Sequence, residues 1–356
     1  MLGIRDCFAD EKVNTGRQDE LDIVKGLAVI FMVWCHVYRE IGADTTTIPG
    51  MMVDSILGGP FAAPMFMVCM GVGICYSRKQ EPGQFFARGS GLIALGYVLN
   101  LFRFVIPQCI VCAVKGNSIL WSDMMSELME VDILQFAGMA FLLIGLARKL
   151  GISNYVLLGA SSLMSVVGVL LKDVGTGILF PDLLLGLFWK TQEYAYFTLF
   201  HWFVFPVLGM IFGEWLLRCK DKRPAYKKLI PVFFPIGLMA EGIALLLGIS
   251  LLDEFTGYFY MTLIDVVFLF GLFIFWAGIL YLIHTKFPKI VITHLQQMSR
   301  DINSIFCIHW VIIGIVCAIK AIVFQKSVPG FIMATILAAV ILIVSVWIAG
   351  KVRWKI

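Results

Sequence analysis

The chain has 356 residues, 60% of them hydrophobic and only 15% charged, with a net charge of +4. Ordinary soluble chains carry about 25% charged residues, and the mean hydropathy here is +0.90. This excludes a soluble enzyme. Continuous rather than alternating apolar runs exclude a β-barrel, and with no basic block beyond the loops there is no nucleic-acid reading.

Residues 1–20 read as a polar lead-in. Spanning helices are expected over 21–41, 51–77, 85–106, 133–148, 152–171, 194–217, 229–250, 259–283, 302–324 and 329–349. Pro60 and Pro64 predict a kink in the second helix, and Pro107 predicts the end of the third. Residues 109–132 read as a longer connection with an acidic end. Segment 175–190 is too short and too broken by Gly and Pro for a clean span. It reads as a re-entrant or surface-lying piece, tolerated at membrane depth only where it lines a protein cavity. The expected fold is all-α: a polytopic transmembrane bundle of about ten spanning helices plus that segment, one domain over 21–350. Residues 351–356 form a short tail. Ten crossings put both termini in the cytoplasm, together with most of the 28 lysines and arginines, including the basic loop 218–228. The expected setting is a bacterial cytoplasmic membrane.

The nine cysteines sit mostly in apolar runs and read as small hydrophobes. Cys109 and Cys112 form one CxxC without a second pair, so neither a metal nor a redox role is expected.

The most informative stretch is Arg17–Glu40. At 100° per residue, Asp22, Lys25, Val29, Met32, His36 and Glu40 fall on one face. Asp22 to His36 rises roughly 21 Å, most of the hydrocarbon thickness. Charged groups on such a stripe cost at least ~2.5–3.5 kcal/mol each against lipid, so the stripe must face protein or a wet cavity. The ten-helix topology then sets depths. His36, Asn100, Arg103, Gln135, Asp182, His201 and Asp265 converge on one outer-half layer, a pattern expected of a site. Each also has a simpler reading: interhelical hydrogen bonding for Asn100, Gln135 and His201, snorkelling for Arg103. At the inner mouth gather Arg17, Asp22, Lys25, Arg78, Lys79, Arg88, Arg300, Asp301, Asn303 and Ser304, with His309 further in. Positive charge there suits a phosphorylated cytoplasmic donor; the positive-inside rule alone also explains it.

Several of these stretches resemble membrane-bound acyltransferases, namely acyltransferase family 3 and the heparan-α-glucosaminide N-acetyltransferase-like proteins. R-x4-D-x2-K-G-L-A at Arg17–Ala28, with His36 eight residues beyond, resembles their first helix. GPFAAPMFMVCMGVGICYSRK resembles the second, FFARGSGLIALGYVLN with Arg88 and Asn100 the third, and VDILQFAGMAFLLIGL with Gln135 the fourth. SRDINSIFCIHWVII, with Ser304 and His309, resembles the closing signature. Lys25 stands where arginine is usual, and the third helix lacks the paired arginines of family 3, which favours the heparan-acetyltransferase-like branch. The resemblance implies transfer of an acyl group, usually acetyl from cytoplasmic acetyl-CoA, to a glycan or glycolipid hydroxyl or amine on the far side of the bilayer. His36 would then be general base or transient acyl carrier, oriented by Glu40. Arg103, Asn100 or Gln135 would stabilise the oxyanion, and Asp182, His201 and Asp265 would bind the acceptor. Arg17, Asp22, Lys25, Arg78, Arg88, Ser304 and His309 would bind the donor. No metal is implied, and homo-oligomerisation stays open. The rival readings are a transporter or flippase for a polar solute or lipid-linked sugar, against which the lack of an internal repeat counts, and a non-catalytic scaffold.

Overall fold

The computed structural model describes residues 7–191, 193–250, 255–324 and 328–352. The first residues of the expected lead-in, 1–6, and most of the expected tail, 353–356, lie outside the described residues. The chain is helical, and among the described residues only isolated bridges such as Phe8 to Cys219 pair extended backbone.

Helix α1 runs Asp19–Glu40. Three acidic residues in its first turn and Arg39 in its last match the helix dipole. The expected second helix is broken rather than kinked. A π-helical turn over Met52–Leu57 and a non-helical stretch around Pro60 precede α2, Ala63–Tyr76, which takes Pro64 into its first turn. A proline is tolerated there because the N–H it lacks has no helical partner at that position. Pro107, in contrast, ends nothing. Helix α3 runs on from Pro82 to Lys115 through a π-helical turn, Leu101–Val105. The wider turn accommodates a proline ring that would otherwise meet the carbonyl four residues back. The connection after it holds a further short helix, α4, Trp121–Leu128.

Helix α5 spans Ile133–Lys149 and is capped by Asp132, whose carboxylate accepts from the Ile133 N–H. Helix α6 spans Asn154–Leu170. Within the broken segment 175–190 lies one short helix, α7, Leu179–Leu185. Helix α8, Leu199–Arg218, starts later than expected, so His201 sits in its first turn. Helix α9, Lys222–Leu246, starts earlier and absorbs much of the basic loop. Helix α10 covers Leu263–Ile283, α12 Ile302–Ile319 and α13 Phe331–Lys351. Between α10 and α12 stands an amphipathic helix, α11, Lys289–Arg300, where a connection was expected.

Seven helices among the described residues are long and apolar enough to cross a membrane. Of the ten expected spans, α2, α5 and α6 are shorter, with 14, 17 and 17 residues. Helices α1 and α8 are the most buried of the seven, whereas α9 and α13 expose most of their apolar surface. Packing runs in pairs: α2 on α8, α3 on α5, and α9 on α10, with α1 held between α11, α13 and α2. Small residues let the backbones approach, as expected where lipid supplies no hydrophobic drive for association. A Cβ built on Gly71 of α2 would stand 2.0 Å from the Pro206 carbonyl oxygen of α8, and one on Gly209 would stand 2.1 Å from that of Val68. On α12, Gly314 meets the backbone of Arg103 in the same way and seats α12 on the π-helical turn of α3.

Candidate active site

The N-terminal half of α1 borders a cavity of about 810 Å³. Its polar wall carries Lys25, Arg88, Arg300, Asn303 and Ser304, from α1, α3 and the junction of α11 with α12. Its apolar wall includes Met32, Met67, Met70, Phe66, Phe136 and Phe306. Asp22 organises the rim. Its carboxylate accepts from Arg17 and from the Ser299 hydroxyl and lies 3.2 Å from the Lys25 ammonium. Burial works against the Asp22 charge, and these cations and hydroxyl offset it. The guanidinium of Arg88 lies 4.5 Å over the Phe141 ring, which aims it along the wall. Arg78 is exposed beyond the end of α2 and does not line the cavity. Helix α11, unforeseen from the sequence, supplies Ser299 and Arg300; its alternation of Ile, Leu and Met with polar residues is the signal that would have revealed it.

Met32 and Phe306 belong to the cavity wall, and one turn beyond Met32 stands His36. Its Nδ1 lies 2.9 Å from Nε2 of His309 on α12, and Nδ1 of His309 lies 3.0 Å from the Ile305 carbonyl oxygen. The two rings are within 11° of coplanar, with centroids 5.2 Å apart. His309 is fully buried and His36 half-buried. Thus His309, placed by sequence reading with the donor-binding residues, stands beside His36 instead. Glu40, expected to orient His36, makes no hydrogen bond to it among the described residues and is exposed at the end of α1; the hydrogen-bond partner of His36 is His309.

Trp310 links this pair to a second cluster. Its ring lies 4.4 Å from that of His36 and 4.5 Å from the Arg103 guanidinium. Arg103, with a side chain only 1% exposed, donates to Asp132 at 2.6 Å, Glu130 at 2.7 Å and Asn100 at 3.1 Å. Asn100 donates to the Leu128 and Glu130 carbonyls, and Gln135 donates to the Glu130 carbonyl and accepts from the Asp132 N–H. The donors of Arg103, Asn100 and Gln135 are thereby turned inward, onto the carboxylates and carbonyls at the start of α5. That arrangement runs against the expected oxyanion role. An intramembrane arginine needs counter-charges, and Glu130 and Asp132 supply them.

The three expected acceptor-binding residues lie elsewhere. Asp182 accepts from the Thr176 and Gly177 N–H groups and the Thr176 hydroxyl, which hold its carboxyl below the usual range. His201 is buried against Thr198 at 2.8 Å, and Asp265 accepts from Thr262 in a capping box at the start of α10. Among the described residues none of the three is bonded to the histidine pair or to the Arg103 cluster.

A family profile described as heparan-alpha-glucosaminide N-acetyltransferase, catalytic, matches residues 17–242, more than half of the chain. The chain belongs to this family. It is accordingly an integral membrane protein of the N-acetyltransferase class, and the match does not favour the transporter reading. The stretch that carries the heparan-alpha-glucosaminide N-acetyltransferase match holds His36, Arg88 and the whole Arg103 cluster; Ser304, His309 and Trp310 come after it. No curated protein matches the chain.

Proposed function

We propose that this chain moves an acetyl group from acetyl-CoA to an amine or hydroxyl of a glycan or glycolipid on the opposite side of the bilayer, with His36 as general base. One observation carries the reading: a cavity with a cationic wall at one end of α1 is lined along that helix as far as Met32, one turn short of a histidine whose partner is another histidine. Lys25, Arg88 and Arg300 supply charge for the CoA phosphates, Asn303 and Ser304 hydrogen bonds, and the Met and Phe wall a dry path for the pantetheine arm. The acceptor heteroatom bonds to the thioester carbonyl carbon and gives its proton to His36. The carbon–sulfur bond breaks, and the departing thiolate takes that proton from His36. A histidine suits both halves, since imidazole exchanges protons near neutral pH.

The positive-inside bias supports placing the cavity end in the cytoplasm with ten crossings and both termini inside. In that frame the CoA head enters from the cytoplasm and His36 meets the acceptor near the outer face.

Calorimetry with purified protein tests the donor half. Acetyl-CoA should bind, and Lys25→Glu or Arg88→Glu should weaken binding at least about tenfold, a loss of ~1.4 kcal/mol. An analogue lacking the 3′-phosphate and pyrophosphate should be indifferent to both changes. Equal affinity of wild type and charge-reversed variants for acetyl-CoA would remove this cavity as the donor site.

A further inference from the structure

We infer that His309 is a positioning residue that fixes the tautomer of His36, so that Nε2 of His36 is the lone-pair nitrogen presented to the reacting groups. The inference deepens the proposed reaction and rests on it for its catalytic meaning; the tautomer itself follows from hydrogen-bond logic alone.

The chain of donors starts at a backbone carbonyl. The Ile305 oxygen can only accept, so Nδ1 of His309, 3.0 Å away, carries a hydrogen. In a neutral imidazole the other nitrogen is then an acceptor. That nitrogen, Nε2 of His309, lies 2.9 Å from Nδ1 of His36. Two nitrogens at this distance share one hydrogen, and only His36 can supply it. His36 therefore holds its hydrogen on Nδ1, and its Nε2 keeps a free lone pair. No group among the described residues bonds to that atom.

Ring geometry agrees. Centroids 5.2 Å apart with planes 11° apart, combined with a 2.9 Å nitrogen–nitrogen contact, describe two rings meeting edge to edge in one plane. Face-to-face stacking would not bring two nitrogens into line. Trp310 lies against both rings, 4.4 Å from His36 and 5.5 Å from His309, and keeps them in register. Helix α12 thus supplies the ring, the carbonyl and the aromatic support within six residues, Ile305 to Trp310.

The arrangement replaces the carboxylate that usually orients a catalytic histidine. A neutral partner also serves the second half of the reaction. When Nε2 of His36 accepts a proton, the Nδ1 hydrogen bond to His309 becomes charge-assisted and shorter.

Nitrogen-15 NMR of histidine-labelled protein in lipid bilayers tests this directly. The chain has only five histidines, so His36 can be assigned by comparison with His36→Ala. The expected spectrum of wild type has a non-protonated Nε2 and a protonated Nδ1 at His36. In His309→Leu the acceptor is gone and His36 should move toward the opposite tautomer, while kcat falls about 100-fold and KM for acetyl-CoA stays near the wild-type value. In His309→Gln the side-chain carbonyl can accept from Nδ1, and both the tautomer and much of the rate should return. A protonated Nε2 at His36 in wild type would overturn the inference, and so would an unchanged tautomer in His309→Leu. Failure of the proposed function is a separate outcome: the predicted tautomer together with full transfer activity in His36→Ala would leave the hydrogen-bond assignment standing and remove its catalytic role.

Discussion

At the scale of single residues, the chemistry divides into two clusters joined by one ring. His36 and His309 form the half that can move a proton, and Arg103 with Glu130 and Asp132 forms the half that holds α3 to the start of α5. Sequence reading singles out His36 as a candidate, because a histidine on the charged stripe of an apolar helix demands a wet or protein environment. It could not pair His36 with His309, which lies 273 residues later. Glu40 was the nearer candidate only because four residues along a helix share a face. The same limit applies to Arg103, whose counter-charges are legible as an acidic end to a connection but not as its partners. Its structural role is testable. Arg103→Leu leaves two buried carboxylates unpaired and should destabilise the protein by about 3–5 kcal/mol in unfolding followed in detergent. Adding Glu130→Gln and Asp132→Asn to that variant should recover most of the loss. A destabilisation that the added changes leave untouched would mean that the cluster does not work as an ion-pair unit.

Among the helices, long apolar runs were legible in position, and their interruptions were not. Pro60 and Pro64 signal a disturbance, but whether a helix bends or breaks depends on what the neighbouring backbone offers. Here the Met52–Leu57 turn brings Asp54 into an ion pair with Arg39 of α1, which favours the break. Pro107 shows the opposite outcome, since the π-helical turn before it lets α3 continue. Glycine spacing carries sharper information. Gly71 and Gly73 lie two residues apart on α2, yet a Cβ on Gly71 meets the Pro206 carbonyl whereas one on Gly73 meets nothing within 4 Å. Gly71→Val should therefore destabilise by at least about 3 kcal/mol, because backbone cannot move aside as a side chain can. Gly73→Ala should unfold within about 0.5 kcal/mol of wild type. Thermal unfolding of the pair in detergent checks this, and equal stability of the two variants would contradict the close α2–α8 contact.

The whole molecule is a bundle in which the cavity and the histidine pair lie along one buried helix, α1. Composition made the all-helical membrane class legible. It could not show that α11 closes one wall of the cavity, because the mean hydropathy of that helix is low and only its periodicity marks it. The ten-crossing topology predicts that residues 10, 79 and 220 share one side of the bilayer and Lys115 lies on the other. In a cysteine-free background, Asp10→Cys, Lys79→Cys and Lys220→Cys should react with an impermeant thiol reagent from the cytoplasmic side, and Lys115→Cys from the outer side. Labelling of Lys79→Cys and Lys115→Cys from the same face would require α3 to turn back within the membrane.

The measurement closest to the central claim is transfer across a sealed bilayer. Protein is reconstituted in vesicles with acetyl-CoA on the cavity side and a glucosamine-bearing acceptor on the other, and the N-acetylated product is counted by mass spectrometry. Wild-type protein should form the product only when the donor is on the cavity side. His36→Ala should lose transfer by at least about 100-fold while still binding acetyl-CoA. Undiminished transfer by His36→Ala, or bound acetyl-CoA with no transfer by wild type to any amine or hydroxyl acceptor supplied, would contradict catalysis at His36.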